Sequence, residues 1–366
     1  MPESFDISSS TGSYSVEIQT GSVGPQLTGR QEDFIVSDAF FRDKLGSAFA
    51  SPRGILFYEA SEAIKSLDAV PRLIEQMRSS GVNRQTKLIA IGGGVIQDLS
   101  AFAASIYMRG VPWLYIPTTI LAMVDSCIGG KSSINVGPYK NLVGTFHPPF
   151  RILIDPELAS TLPLDQQASG LVEAAKICFC RGSESFVSYL ACDPHPGMQT
   201  DALAALISYS LRAKKWFIEI DEFDQNERLL LNFGHTFGHA IEGASHYAIP
   251  HGLAVGIGIL CALAFVREDP EQHPGAYDDV PMVRAFEAHL AALLRSVPEL
   301  SQHLARLPLE EVMERFESDK KHRQDKYVLI LVDHSGKVIR RDVTKSAKSV
   351  RHIRRSIESI VGKYAQ

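Results

Sequence analysis

Short apolar runs separated by helix-length amphipathic stretches set the strongest limit on what this chain can form. The runs fall at 34–37, 54–58, 87–91, 113–116 and 152–154, and stretches such as 70–80 and 99–108 lie among them. A strand of that length buried on both faces, followed by a helix, predicts βαβ units and a parallel sheet. This half closes at Asp155-Pro156 and Thr161-Leu162-Pro163. Beyond it the apolar period changes to 3.6, and 167–178, 202–220, 229–244, 253–266 and 281–296 read as helices. Residues 327–332 and 337–343, joined by Asp333-His334-Ser335-Gly336, read as a hairpin.

The expected architecture is an α/β nucleotide-binding domain over 1–165. A mostly α-helical metal- and substrate-binding domain over 166–366 follows, with a small C-terminal hairpin. A length of 366 residues suits two such domains, and a cleft between domains is the default place for a ligand. The net charge of -5 offers no general attraction to nucleic acid or an anionic membrane, so any anion site needs a local cluster of cations. The N-terminus has neither a basic nor an apolar segment of the secretory kind. The apolar stretch 252–266 is shorter than a membrane span. Five cysteines without framework spacing, including Cys178 and Cys180, read as reduced core thiols, and a cytoplasmic setting is expected.

Three places carry chemistry. The run 87–91 enters Gly92-Gly93-Gly94-Val95-Ile96-Gln97-Asp98 and then a helical pattern. Glycines at such a turn let backbone amides approach a pyrophosphate, although GxGxxG is absent and a plain tight turn with Asp98 as N-cap remains open. In Asn232-Phe233-Gly234-His235-Thr236-Phe237-Gly238-His239 the helical spacing puts both imidazoles on one face, and His251 opens the next helix. Glu173 sits on an otherwise apolar helix, where an unpaired carboxylate is costly. Imidazoles plus one carboxylate match a catalytic zinc site, whereas His246, His289 and His303 read as ordinary residues. Cations in tight or apolar segments form the third group: Arg109, Lys131 after Gly129-Gly130, Lys140, Lys176, Lys214, Arg228, Lys320 and Lys321. As a group they point to phosphate and carboxylate clamps, although each one alone reads as a solvated surface cation, except in the Gly-Gly-Lys loop, which is expected to offer free amides beside an ammonium.

Taken in series, these motifs resemble the dehydroquinate synthase family of sugar phosphate cyclases. Gly92-Gly93-Gly94-Val95 with Asp98, Tyr107-Met108-Arg109-Gly110, Pro117-Thr118-Thr119, Val124-Asp125-Ser126 and Gly129-Gly130-Lys131 come first. Lys140-Asn141, Thr161-Leu162-Pro163, Glu173 with Lys176, Asp221-Glu222, Arg228, 231–239, His251-Gly252 and Asp319-Lys320-Lys321 follow in the family's order.

The resemblance implies that Glu173, His235 and His251 hold a zinc or cobalt ion and that His239 transfers protons beside it. It implies NAD contacts from Asp38, Glu62, Lys65, Gly93, Gly94, Val95, Asp98, Thr118, Thr119, Asp125, Lys131, Lys140, Thr161 and Leu162. The implied substrate shell is Arg109, Asp125, Lys131, Asn141, Lys176, Lys214, Arg228, Asn232, His239, Lys320 and Lys321. Of these, Asp125, Lys131, Lys176 and Asn232 join His239 as catalytic residues, and Arg109 reaches a neighbouring subunit in a homodimer. The implied substrate is a phosphorylated sugar acid. A secondary alcohol is oxidised with transient reduction of NAD, phosphate is eliminated, the ketone is reduced back, the ring opens, and an intramolecular aldol closes the carbocycle.

Some positions depart from the family pattern. Gln97 replaces a usual Gly and is expected to crowd the pyrophosphate turn; Phe40, Ser132-Ser133-Ile134-Asn135, Gln166 and Leu253 also differ. At Leu253 the departure removes an acidic partner for the metal ligands. These differences keep a specialised branch in view, of the 2-deoxy-scyllo-inosose or 2-epi-5-epi-valiolone synthase type. A polyol dehydrogenase using NAD and a metal, or a non-catalytic homologue, are the rival classes.

Overall fold

In the computed structural model, which describes residues 3–23, 33–44, 53–137, 139–268 and 280–366, the apolar runs become strands of one seven-stranded sheet. The strands are β1 (Glu3–Ser9), β2 (Gly12–Ile18), β3 (Phe34–Asp38), β4 (Gly54–Tyr58), β5 (Leu88–Gly92) and β6 (Trp113–Pro117). An antiparallel pair, β7 (Lys131–Val136) with β8 (Tyr139–Phe146), stands apart from the sheet, and β9 (Arg151–Ile154) returns to it. Across the sheet the order is β1-β2-β9-β6-β5-β3-β4, and every pairing except β1 with β2 is parallel. Every residue of β5 and β6 is buried, which is why these strands read as continuous apolar runs rather than alternating ones. The two hairpins β1–β2 and β7–β8 escaped the sequence reading because their exposed faces interrupt the apolar signal.

Helix α1 (Ala69–Ser79) and helix α2 (Gly94–Ile106) are the crossovers of this sheet. Because β3, β5 and β6 run the same way, Asp38, Gly92 and Pro117 end on one edge of the sheet, where open α/β sheets place ligands.

The chain divides into two compact units, Met1–Leu162 with Gln199–Glu222, and Pro163–Met198 with Phe223–Gln366. After α3 (Leu164–Arg181) and α4 (Ser183–Leu190), helix α5 (Thr200–Ile220) thus belongs with the sheet. On its period alone it had been grouped with the C-terminal helices. Its partners explain the placement: Arg212 pairs with Glu3 at 2.6 Å, and the Ser210 hydroxyl donates to the Val124 carbonyl at 3.0 Å.

The second unit continues with α6 (His235–Ala244), α7 (His251–Arg267), α8 (Pro281–Arg295), α9 (Glu299–Ala305) and α10 (Leu309–Glu317). It ends with the hairpin β10 (Lys326–Val332) and β11 (Val338–Thr344), then α11 (Ala347–Tyr364). The expected helix over 229–244 is broken: a 3-10 turn, Glu227–Asn232, precedes Gly234 at φ 78°, and α6 starts only at His235. The left-handed backbone at Gly234 suits glycine and ends any continuous helix. Helix α7 is buried at every position from Gly252 to Val266 and is the centre of this unit. Among the described residues no helix is long and apolar enough to cross a membrane. All five cysteines are free, and burial pushes the Cys127 and Cys180 thiols up to about 12.

Helices α6 and α7 cross at backbone contact. A Cβ placed on Gly258 would lie 2.2 Å from the Gly234 carbonyl oxygen and 2.5 Å from the Gly238 nitrogen. Gly258→Ala is expected to force the helices apart and cost about 1–3 kcal/mol as an overpacked core does, read as a lower urea midpoint at unchanged m-value.

Candidate active site

In the first unit, helix α2 is capped by Gly93, with Asp98 inside the helix rather than at its N-cap. Asp98 instead accepts from the Lys65 ammonium at 2.7 Å and from the Ser133 N–H at 3.0 Å. Burial raises the Asp98 carboxyl above its ordinary range, and the Lys65 charge opposes that rise. Glu62 accepts from the Asn135 carboxamide at 2.8 Å and faces Lys140 at 3.5 Å. Asn141 holds a left-handed backbone at φ 52° and donates its N–H to Asn135 at 2.9 Å. The fold therefore brings Glu62, Lys65, Asp98, Lys140 and Asn141 to one polar network beside the glycine turn.

Thr118 donates its N–H to Gly92 at 3.1 Å, and Thr119 packs its methyl where a Cβ on Gly93 would fall, at 3.0 Å. Gly93 thus keeps the turn narrow, while a Cβ on Gly94, the first residue of α2 ahead of Val95, would meet open space. Asp38 caps the short turn Ala39–Phe41 through the Phe40 N–H at 3.0 Å, and burial raises its carboxyl. Thr161 and Leu162 close another short turn, the Leu162 N–H donating to Ala159 at 3.1 Å. Arg109 is exposed and, like Met108, has a positive φ, at 67° and 50°, a strained pair of non-glycine residues of the kind functional loops retain.

Two expectations for this unit need correction. Gln97 does not crowd the glycine turn: its buried carboxamide donates to the Ser126 carbonyl at 2.7 Å and accepts from the Ser126 hydroxyl at 2.6 Å. The loop before Lys131 does not present both glycine amides freely, because the Gly129 N–H donates to the Tyr14 hydroxyl at 2.9 Å. Lys214 is 6% exposed and donates to the Asp125 carboxylate at 2.8 Å and to the Asp125 and Ile128 carbonyls at 2.5 and 3.4 Å.

In the second unit α3 carries Glu173, fully buried, with Lys176 one turn on and hydrogen-bonded to its Oε2. The other oxygen, Oε1, is buried and has no hydrogen-bond partner. It lies 3.8 Å from Nε2 of His235 and 3.8 Å from Nε2 of His251. The ligand nitrogens of His235, His239 and His251 all fall within 4.8 Å of one another. Tetrahedral zinc at about 2.0–2.1 Å from each ligand atom separates those atoms by about 3.3 Å, so the cluster is close to ligating dimensions. A buried carboxylate oxygen without a donor is costly, and its position facing two imidazole nitrogens fits the chemistry of a cation ligand.

The imidazoles are held by different acceptors. His235 Nδ1 lies 3.2 Å from the Phe233 carbonyl, and His251 Nδ1 lies 3.1 Å from Glu242 Oε2. Burial, with Lys176 and the neighbouring rings, holds His235 well below the ordinary range. His239 keeps a face to solvent, yet desolvation within the cluster, with His251 and Lys321, pushes it down to about 3, so it is neutral at neutral pH. For His251 burial opposes the charged form, but the hydrogen bond and charge of Glu242, then Glu173, raise it overall.

Arg228 is buried, and the Asn232 carboxamide donates to the Leu229 carbonyl at 3.1 Å. Burial lowers the Lys321 ammonium; its backbone N–H donates to the Asp319 carboxylate at 2.9 Å, in the turn that also holds Lys320. The sequence reading missed Glu242, although it sits seven residues after His235 and three after His239, on the same face of α6. It also missed Ser126, Ser133 and Tyr14, whose roles depend on contacts distant in sequence.

An α/β unit carrying a glycine turn and a mostly helical unit carrying a histidine–carboxylate cluster together define a two-unit α/β-plus-helical class of protein. The 3-dehydroquinate synthase N-terminal family matches residues 55–169, and the 3-dehydroquinate synthase C-terminal family matches 170–322. A 3-dehydroquinate synthase of Solibacter usitatus is 34% identical over 344 residues, 89% of this chain and 91% of that one. One from Latilactobacillus sakei subsp. sakei is 41% identical over 218 residues; that alignment spans 60% of this chain and 61% of the relative. A solved 2-deoxy-scyllo-inosose synthase complexed with carbaglucose-6-phosphate, NAD+ and Co2+ shares the fold at TM-score 0.83 and 23% identity, over 98% of this chain and 99% of that chain. The chain belongs to the 3-dehydroquinate synthase family.

The Lys65–Asp98 pair is the cation–carboxylate pair beside the glycine turn. Lys65→Met is expected to leave Asp98 unpaired and to cost about 3 kcal/mol, as the loss of one partner of a buried pair does. Adding Asp98→Asn to that variant should recover most of the loss in urea unfolding.

Proposed function

We propose that this chain is a 3-dehydroquinate synthase acting on 3-deoxy-arabino-heptulosonate 7-phosphate with NAD and a divalent ion, zinc or cobalt. The observation that carries the reading is the partnerless Glu173 Oε1 facing two imidazole nitrogens, in a chain of this family. The donor set fits such an ion: one carboxylate and two imidazoles, with a further group beside them. The relatives named above support the activity, and the structural neighbour that holds NAD+ and Co2+ supports the cofactor pair.

Glu173, His235 and His251 would hold the ion. Gly93, Gly94 and Val95 at the start of α2 would take the NAD pyrophosphate, with Asp38 for a ribose and Thr118, Thr119, Thr161 and Leu162 around the nucleotide. When bound, the ion polarises a substrate oxygen and NAD stores a hydride for part of the cycle. His239, exposed and with its ring beside those of His235 and His251, would be the group that exchanges a proton at its ring nitrogen. Lys176 holds the Glu173 carboxylate in one orientation. Glu62, Lys65, Asp98 and Lys140 form a pre-paired network that keeps the glycine turn and the β7–β8 hairpin in fixed relation. Lys214, bound to Asp125, fixes that carboxylate, and Lys131 and Asn141 complete the polar groups of the first unit.

Arg228, Asn232, Lys320 and Lys321 provide the cations and amide of the second unit. A substrate with both a phosphate and a carboxylate accounts for this many cations in a protein of net charge -5. Arg109, exposed on a strained turn, is assigned to a partner's site in a homodimer, and a cytoplasmic setting suits the free thiols.

His235→Ala is expected to lose stoichiometric zinc or cobalt and phosphate release together; phosphate release retained in metal-free buffer would overturn the ligand assignment. Phosphate release measured across heptulosonate, heptulose and hexose phosphates identifies the substrate, and net NADH accumulation would mark a dehydrogenase instead. Arg228→Ala should lower kcat/KM about 100-fold for the carboxylate-bearing substrate, about 2.7 kcal/mol, and much less for carboxylate-free analogues.

A further inference from the structure

We infer that Glu242 is the positioning residue of the metal centre: it fixes the tautomer of His251 so that the Nε2 lone pair faces Glu173. This rests on the metal reading above. An imidazole can ligate only through a nitrogen that carries no proton, so whichever group binds the other nitrogen decides whether the ring is a ligand.

His251 has Nδ1 3.1 Å from Glu242 Oε2 and Nε2 3.8 Å from Glu173 Oε1. An ionised carboxylate only accepts, so Nδ1 must carry the proton and donate. In the neutral ring Nε2 is then bare, on the side where the buried oxygen lacks a donor. His235 is set the same way by a weaker acceptor, the Phe233 carbonyl at 3.2 Å from its Nδ1. Of the two rings, His251 is thus the one oriented by a full negative charge.

The geometry follows from the fold. His251 is the first residue of α7, and Glu242 lies on α6, whose glycine-mediated contact with α7 brings that turn alongside. Glu242 is 18% exposed at the side chain, dry enough for the bond to matter. Leu253 removes one possible acidic partner on α7, and α6 supplies another, Glu242, seven residues beyond His235.

Glu242→Gln keeps the shape and removes the charge, and its amide can donate to Nδ1, which moves the ring proton to Nε2. Two measurements on the full-length protein test the inference. Zinc and cobalt affinity, read by chelator competition, is expected to fall about 10–100-fold in Glu242→Gln and to be partly restored in Glu242→Asp. Ring nitrogen NMR of the metal-free protein above the His251 titration is expected to show Nδ1–H for His251 in the parent and a loss of that state in Glu242→Gln. An Nε2–H ring in the parent, or equal metal affinity in parent and variant, overturns the inference. A parent that shows Nδ1–H and yet binds no stoichiometric ion overturns the metal reading while leaving the positioning by Glu242 intact.

Discussion

The arrangement of the second unit depends on one buried carboxylate. Glu173 is fully buried on a helix whose surrounding residues are apolar, and an ionised group there costs several kcal/mol, roughly, unless its oxygens are met. Lys176 meets one oxygen. The other is left toward two imidazole nitrogens, each too far to donate a good hydrogen bond. The acid, the two rings and the acceptors behind the rings therefore lie together as one polar cluster in an otherwise apolar setting.

That unit exists because α6 and α7 approach more closely than side chains would allow. Gly258 has backbone of Gly234 and Gly238 where its Cβ would be, and Gly252 has the Ser169 carbonyl of α3 in the same position. Glycine therefore lets α7 approach both α6, at Gly234 and Gly238, and α3, at Ser169, the three helices that carry Glu173, His235 and His251. The left-handed residue Gly234 restarts the helix at His235 and so sets which face the histidines share.

In the first unit the comparable device is a set of side chains that complete an irregular turn. Around the turn Ala122–Ser126, carbonyls of Val124, Asp125, Ser126 and Ile128 accept from Ser210, Lys214, Gln97 and Lys214 respectively. A helical turn of this irregular kind leaves carbonyls without in-helix partners, and side chains from α2 and α5 supply the donors. Gln97, a departure from the family pattern, is one of those donors, and the return of α5 to the sheet places two more.

Much of this was legible in the chain itself. Runs of β5 and β6 length, apolar throughout, fit a doubly covered parallel strand, and the longer unbroken apolar run 253–266 fits a helix buried on all sides. The histidine spacing and the acid in the apolar part of α3 were visible from the chain as well. Three things were decided only by the tertiary structure. The placement of α5 in the first unit, the break at Gly234, and the roles of Glu242 and Gln97 each depend on an atom far away in sequence meeting an otherwise unsatisfied group. Local pattern records which face of a helix avoids water; it does not record which distant donor or acceptor completes a buried polar atom, and that pairing is settled only when the chain has folded.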